Sequence, residues 1–515
     1  MKIKKQIRYV MFFLSGLFCS GCQVQQGQQY VSSAIFSDSA LLEEKCQIAA
    51  HIVPSARQLE WQKMEFTCFI CYGINTFTDR EWGTGKEDPG LFNPTELDAG
   101  QWVRTAKKAG MKQILLTCKH HDGFCLWPSR YTRFSVASSP WRNGKGDLVR
   151  EVAEACRQEG LKFGVYLSPW DMNHPDYGTE AYNDYFVNQL EELLTQYGPI
   201  SEVWFDGACG EGPDGKKQRY DFERYYRTIR RLQPQAVIAV MGPDVRWVGT
   251  ESGYGRDTEW SVVPASENSL KQIAASSQQE KGNGMFIPQG DAIEKDLGSR
   301  EKLENAKGVI WYPSEVDVSV RPGWYYHASQ DTLVKTPQKL IDIFYSSVGK
   351  NSLLLLNLPP DRRGLVHEND VKALEEMQRI LGETFRDNLL ASASCTADRT
   401  SLTDLNLDTD YPMPEGTALV FSFDREQYFD RLVVQENITK GQRVEQFCLE
   451  YKKGEKWVMA SEGTTIGYKR ILRFPLVQAK EVRLFVQESR DVPQIAEVGL
   501  YLASEEESQL EIVNR

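Results

Sequence analysis

Between residues 97 and 240 the chain repeats one unit four times: an amphipathic stretch of helical spacing, a stop, then a short apolar run. Residues 97–109 set Ala99, Trp102, Val103 and Ala106 on one helical face, Gly110 closes the stretch, and the apolar run 113–117 follows. Residues 147–159 repeat this through Leu148, Val149, Val152, Ala153 and Cys156, with Gly160 as the stop before 163–167. Residues 180–197 lead through Gly198 and Pro199 to 203–205, and 220–232 lead to 236–240. Strands alternating with helices require parallel pairing, because a parallel neighbour needs a long return connection. A nearly continuous apolar run at 66–74 opens the series, as expected of a strand covered on both faces. Runs 309–312 and 352–358, with a helix at 336–348 between them and a last helix at 371–381, are expected to close it. The expectation is a (β/α)8, TIM-like barrel, for which 515 residues leave room to spare.

A barrel of this kind displays its chemistry at the C-terminal ends of its strands. Polar and aromatic groups stand at those exits: Glu81 and Trp82 after the first strand, Lys119, His120, His121 and Asp122 after the second, Tyr166 in the third, Trp204 and Asp206 at the fourth. The tract 246–253, which holds Trp247 and Glu251, follows the fifth. Together they predict one polar pocket with aromatic walls. Adjacent His120 and His121, with Asp122, raise the possibility of a metal hydrolase. Neighbours in an extended strand point opposite ways, however, so both imidazoles face one point only where the strand end is irregular. Their paired donor and acceptor nitrogens suit sugar hydroxyls better.

Sugar hydrolysis requires two acids flanking the glycosidic bond. Asp206, delivered by the apolar run Val203-Trp204-Phe205, suits the role that demands a fixed approach. The proton donor belongs on a loop whose environment raises its pKa. Glu251 fits that description, and Glu259 and Glu315 compete with it, since spacing does not choose among them.

The remaining chain gives context. The first 21 residues carry Lys2, Lys4, Lys5 and Arg8 before an apolar stretch, and end in Cys19-Ser20-Gly21 before Cys22. This resembles a bacterial lipoprotein signal, which implies export and a lipid anchor at Cys22 facing the periplasm or the cell surface. Residues 22–50 read as a tether and leader, 51–385 as the barrel, and 386–515 as a second domain of short alternating runs, a β-sandwich. The net charge of −11 argues against a nucleic-acid partner. Cys68 and Cys71 have zinc-knuckle spacing without a second pair, so they and the other cysteines in apolar runs are expected to be small buried hydrophobes.

The tracts Asn75-Thr76-Phe77-Thr78 with Glu81-Trp82-Gly83, Lys119 to Phe124, Val203 to Gly207 and Arg246 to Glu251, in this order, resemble the α-L-fucosidases of glycoside hydrolase family 29. The resemblance runs from about residue 51 to 360. It implies a retaining mechanism without cofactor or metal, with the aspartate matching Asp206 as nucleophile. The tracts around Glu251 and Arg321-Pro322-Gly323-Trp324 resemble the subgroup that cleaves α-1,3- and α-1,4-linked fucose from branched, Lewis-type glycans, in which the glutamate matching Glu251 is the acid/base. The resemblance also makes Glu81, Trp82, His120, His121, Tyr166, Trp204 and Trp324 fucose-binding residues. The second domain is similar to discoidin-like, galactose-binding sandwiches, which bind sugar or brace a barrel. One departure stands out: Cys71 occupies a position where relatives usually carry His. It leaves two alternatives open, a glycosidase of altered sugar preference, such as for an α-L-galactoside, and a lipoprotein that binds fucosylated glycans without cleaving them.

Overall fold

The structure, a computed structural model, describes residues 31–277, 295–414 and 416–513. The targeting segment and Cys22 lie outside the described residues. Eight strands make one sheet: Phe66–Ile70 (β1), Gln113–Lys119 (β2), Lys162–Leu167 (β3), Glu202–Phe205 (β4), Val237–Val240 (β5), Arg246–Trp247 (β6), Ser314–Ser319 (β7) and Leu353–Asn357 (β8). They lie in the order β5-β4-β3-β2-β1-β8-β7-β6 with every pairing parallel. A bridge between Ala239 and Val245 joins the two edges, so the sheet rolls into a nearly closed barrel. β1, β2, β4, β5 and β8 are buried along their whole length, which is why they read as unbroken apolar runs.

Helices Ala99–Lys108 (α1), Leu148–Glu159 (α2), Glu180–Gln196 (α3), Phe222–Leu232 (α4), Pro337–Ser347 (α5) and Glu368–Thr384 (α6) fall where the periodicity places them, the last longer than the expected 371–381. Their starts are chemically marked. Asp98, Asp147 and Asp221 accept the backbone N–H of Gln101, Arg150 and Arg224 at 2.9, 3.0 and 3.0 Å, and Thr336 caps α5 ahead of Pro337. Gly160 ends α2 at φ +77°, a left-handed conformation that suits glycine.

Three expectations need correction. The run 309–312 is not in the barrel: Gly308–Trp311 pairs antiparallel with Ser33–Ile35 and with Val262–Pro264 in a small side sheet. The barrel strand is instead β7, whose polar inward positions hid it. The first strand stops at Ile70, and Ile74–Thr78 forms a short helix inside what read as strand and loop. Finally, part of the stretch read as leader is folded, since helix Leu42–Ala50 packs Cys46 and Ala49 against Val262 and Trp311.

The second domain is an antiparallel seven-stranded sheet. Runs that read as separate strands are continuous: Ala418–Glu436 and Arg470–Ser489 each extend through register shifts that bend them. One end of this pair meets Gln494–Tyr501, and the other meets Val444–Lys453, so two layers share the long strands and enclose their own apolar core. A terminal helix, Glu505–Val513, returns to the barrel. Its buried Glu507 accepts bonds from Tyr345 Oη of α5 (2.8 Å), Thr384 Oγ1 of α6 (2.5 Å) and Arg431 Nη2 of the sandwich (2.9 Å), closing one part of the domain interface.

Candidate active site

Residues two apart on a strand share a face, and the pocket is built on that rule. Register sets Ile70 beside Leu116, Thr117 beside Tyr166, and Tyr166 beside Trp204, so the exits of β1 to β4 are level with one another. Tyr166 stacks on Trp204 with ring centroids 5.2 Å apart, and Phe69, two residues before Cys71, packs against Tyr166, Trp204 and Trp324 as a floor. Two residues beyond Trp204, Asp206 rises from the same face.

The Asp206 carboxylate is held by two bonds: Tyr166 Oη donates to Oδ2 at 2.8 Å and the Ala208 N–H to Oδ1 at 2.7 Å. His121 Nε2 lies 3.8 Å from Oδ2. Burial pushes the Asp206 pKa up, opposed by the Ala208 N–H, by His120 and by Tyr166. β2 ends with a register shift between Thr117 and Lys119, and this irregular exit lets adjacent His120 and His121 face the pocket together, their rings 4.0 Å apart. Among the described residues, His120, His121 and Asp206 bring three ligating atoms within 4.8 Å of one another, a spacing a metal could use; Asp122 is not one of them.

The tautomer of His121 follows from its partners. Ser168 Oγ donates to Trp170 O at 2.7 Å, so at its 2.7 Å contact with His121 Nδ1 it accepts, which places the proton on Nδ1 and leaves Nε2 as a lone pair toward the pocket. Burial and then the Lys119 charge drive the His121 pKa down to about 3, and burial lowers that of His120 as well. Both shifts favour the neutral rings, and the two hydrogen bonds that hold Asp206 come from Tyr166 and Ala208. Lys119 itself is buried against Asp171 at 3.1 Å, and Asp122 anchors the turn through the Phe124 N–H (2.7 Å) and Asn75 Nδ2 (3.1 Å).

The opposite wall comes from the tract after β7. Trp324 donates its backbone N–H to Glu81 Oε2 at 2.8 Å and its indole N–H to Glu251 Oε2 at 3.2 Å, so it ties together two of the predicted residues. His327 sits between Asp79 and Glu81, 2.7 Å from each, an arrangement in which both nitrogens donate only as imidazolium. Burial opposes that charge but the two carboxylates prevail, and its pKa is raised. Trp82 stands edge-on to His121 and Trp170 at 5.3 and 5.4 Å. Arg321 is fully buried and paired with Asp370 and Asp331, so it pins this tract.

The three competing glutamates separate by position. Glu259 is buried and gripped by Arg246 and Arg256. Glu315, fully buried in the barrel, accepts the Trp204 indole N–H at 2.7 Å. Glu251 alone of the three stands exposed at the rim, and burial of its carboxyl, then the charges of Asp206 and Glu81, raise its pKa against the Trp324 bond. Cys71 is buried, accepts a bond from Thr117 Oγ1 at 3.6 Å, and is pushed up as a thiol by burial.

Sequence reasoning missed Phe69, Asp317 and His327. Asp317 accepts the Trp247 indole N–H at 2.6 Å, and burial followed by the Glu251 charge raises its pKa well above the usual range. Its signal was present as Ser-Glu-Val-Asp-Val-Ser, a strict alternation that defines a strand with one polar face.

Beneath the pocket, Glu202 and Glu315 form a buried pair. Glu202 Oε2 accepts from Gln113 Nε2 (2.6 Å) and Trp61 Nε1 (3.3 Å). The remaining oxygens, Glu202 Oε1 and Glu315 Oε2, find no donor, and the two buried carboxyls titrate against each other. Burial raises both, Glu202 to about 7 and Glu315 well above the ordinary range, the latter also by the charge of Glu202. The folded protein therefore holds protons that the unfolded chain releases near pH 4.5, and this pair withdraws stability as pH rises above that value. Glu315→Gln keeps the acceptor for Trp204 and leaves one titrating carboxyl, so denaturation followed across pH shows a smaller decline and KM stays near the parent value. Glu315→Leu leaves the Trp204 N–H unpaired, which costs about 1 to 3 kcal/mol and raises KM. Equal pH dependence in parent and Glu315→Gln would refute the coupling of the two carboxyls.

The Alpha-L-fucosidase family pattern matches residues 58–383. The chain is 42% identical over 491 residues to Alpha-L-fucosidase 1 of Arabidopsis thaliana, covering 91% of each chain. A crystal structure from Bacteroides ovatus ATCC 8483 is 50% identical, with TM-score 0.83 over 92% of this chain and 78% of that one. A Ruminococcus gnavus GH29 fucosidase in complex with fucose is 29% identical, with TM-score 0.75 over 88% of this chain and 96% of the other.

Proposed function

The chain belongs to glycoside hydrolase family 29, the α-L-fucosidases, and from that premise we propose a retaining exo-hydrolase that removes terminal α-1,3- and α-1,4-linked L-fucose from branched, Lewis-type glycans. The observation that carries the mechanism is the pairing of a strand-mounted Asp206 with a rim-mounted Glu251 whose carboxyl feels the Asp206 charge across the pocket. Asp206 attacks the anomeric carbon while Glu251 protonates the leaving oxygen. Glu251 then takes a proton from the water that releases fucose. His121 Nε2 accepts a bond from a sugar hydroxyl, with His120 and Glu81 beside it. Trp82, Tyr166, Trp204 and Trp324 supply apolar surface for the ring face and methyl group. No step calls on a metal or cofactor.

The linkage preference is supported by the Glu251 tract and by 321–324, which carries Trp324 to Glu81 and Glu251. Cys71 is what the alternative of an altered sugar preference rests on: a buried thiol bonded to Thr117 is a weak partner for a sugar hydroxyl where the family resemblance implies an imidazole. The pattern of residues 1–22 supports export and a lipid anchor at Cys22. The test is incubation with Lewis-type trisaccharides, an α-1,2-fucosylated control and an α-L-galactoside, with the anomer released followed by NMR. Release of α-L-fucose first, from the branched sugars alone, is expected. Initial release of the β anomer would refute retention, release from the α-1,2 control would refute the linkage preference, and binding without release would leave a glycan-binding protein.

A further inference from the structure

Glu251 rides on an excursion from β6 to the strand Val262–Pro264. Its first turn is held by the barrel, where Ser346 of α5 accepts the Gly255 N–H at 2.8 Å and donates Oγ to Gly253 O at 3.0 Å. The descending arm, 257–261, is held by the sandwich. Asp257 O accepts from Arg470 Nη1 (2.7 Å) and Thr464 Oγ1 (2.9 Å), and the Glu259 N–H donates to Thr465 Oγ1 at 3.1 Å. Gln442 bridges the arm, taking the Ser261 N–H at 2.8 Å and donating to Glu259 O at 3.0 Å. Gln442 and Thr465 are fully buried, so these backbone groups have no water to turn to. Arg246, just upstream of the loop, grips the same arm through the Glu259 carboxylate and Trp260 O at 2.9 Å. The two ends of the Glu251 loop are thus fastened at one point, and half of that fastening belongs to the other domain.

We propose that the C-terminal domain is a positioning element for the proton donor, its Gln442, Thr464, Thr465 and Arg470 fixing the loop that aims Glu251 at the leaving oxygen. This rests on Glu251 as the donor. It assigns the sandwich a part in turnover that requires no sugar bound to it. These residues touch no substrate, so their effect must appear only where protonation of the leaving group limits the rate.

The near-isosteric double variant Thr464→Val/Thr465→Val removes the hydroxyl bonds to Asp257, Thr258 and Glu259 while preserving volume. Its kcat/KM on a fucosylated oligosaccharide is expected to fall about tenfold or more, while that on α-L-fucosyl fluoride, whose leaving group needs no proton, stays within about twofold. Glu507→Gln serves as control, since it weakens the same domain interface away from the loop: it lowers Tm and leaves the ratio between the two substrates unchanged. If the double variant fails to fold, Thr465→Val alone is read the same way with a smaller effect. Equal slowing of both substrates, or of neither, overturns the proposal. Glu251→Ala run alongside separates the two claims: if it cleaves the oligosaccharide at the parent rate, the donor assignment fails, whatever the sandwich variants do.

Discussion

Replacing Asp206 with glycine lowers hydrolysis of fucosylated oligosaccharides by roughly 10⁴-fold or more, the scale for loss of a nucleophile that works with its partners as a unit. The physical basis is the rigidity of its mount. Asp206 follows a strand buried along its whole length, and Tyr166 and the Ala208 N–H fix its two oxygens. Water entering the vacated space has no such fixed approach. Azide can take the place of the missing oxygen, and because it attacks from the face Asp206 occupied, it yields fucosyl azide of the β configuration. Detection of that product by NMR, with partial recovery of rate, is the expected outcome. Near-parental hydrolysis, or an α azide, would remove Asp206 from the role. The raised pKa of Asp206 adds a pH signature: the carboxylate must be ionised, so kcat/KM declines as pH falls, and it does so above the ordinary aspartate range.

Glu251→Ala has the second-largest effect, a loss of about 10²- to 10⁴-fold on oligosaccharides, the range for removal of a general acid. The carboxyl is useful as an acid only while protonated. Burial, followed by the charges of Asp206 and Glu81, raises its pKa and outweighs the stabilising bond from Trp324, so the protonated form persists to higher pH. In the parent enzyme kcat/KM therefore falls as pH climbs past that raised pKa, and in Glu251→Ala this alkaline limb disappears. With azide the variant gives the α azide, since the fucosyl group on Asp206 is attacked from the opposite face. The two variants should thus produce opposite anomers, a contrast that no general loss of folding can imitate. An alkaline limb that survives in Glu251→Ala would assign the proton to another group, and buried Asp317, bonded to Trp247, is the nearest candidate in chemistry.

Much of this was legible in the chain before any coordinates. The helices were marked by spacing and by their Asp and Thr caps, and the interior strands by apolar runs, because both signals are local. Asp206, Tyr166, Trp204 and the two histidines could be named because a strand's end can be located from its own residues. β7 was not legible for the converse reason. Its inward positions, Glu315, Asp317 and Ser319, are polar because they face the pocket and the core beneath it, so a strand at the centre of the site read as loop. The apolar run 309–312 carries the stronger local signal, although it belongs to the small side sheet.

By itself, then, the sequence determined the alternation that forces parallel strands, the acid at the end of β4 and the family resemblance, all of which reside in short contiguous tracts. Only the tertiary structure separates Glu251, Glu259 and Glu315, because the three differ in surroundings and not in kind: one is gripped by two arginines, one is buried in the barrel against Glu202, and one stands at the rim. Only the fold, likewise, brought Gln442 and Thr465 to the loop of Glu251, across sequence separations of 181 and 206 residues. Such contacts depend on how two domains dock, and no local pattern of side chains encodes that.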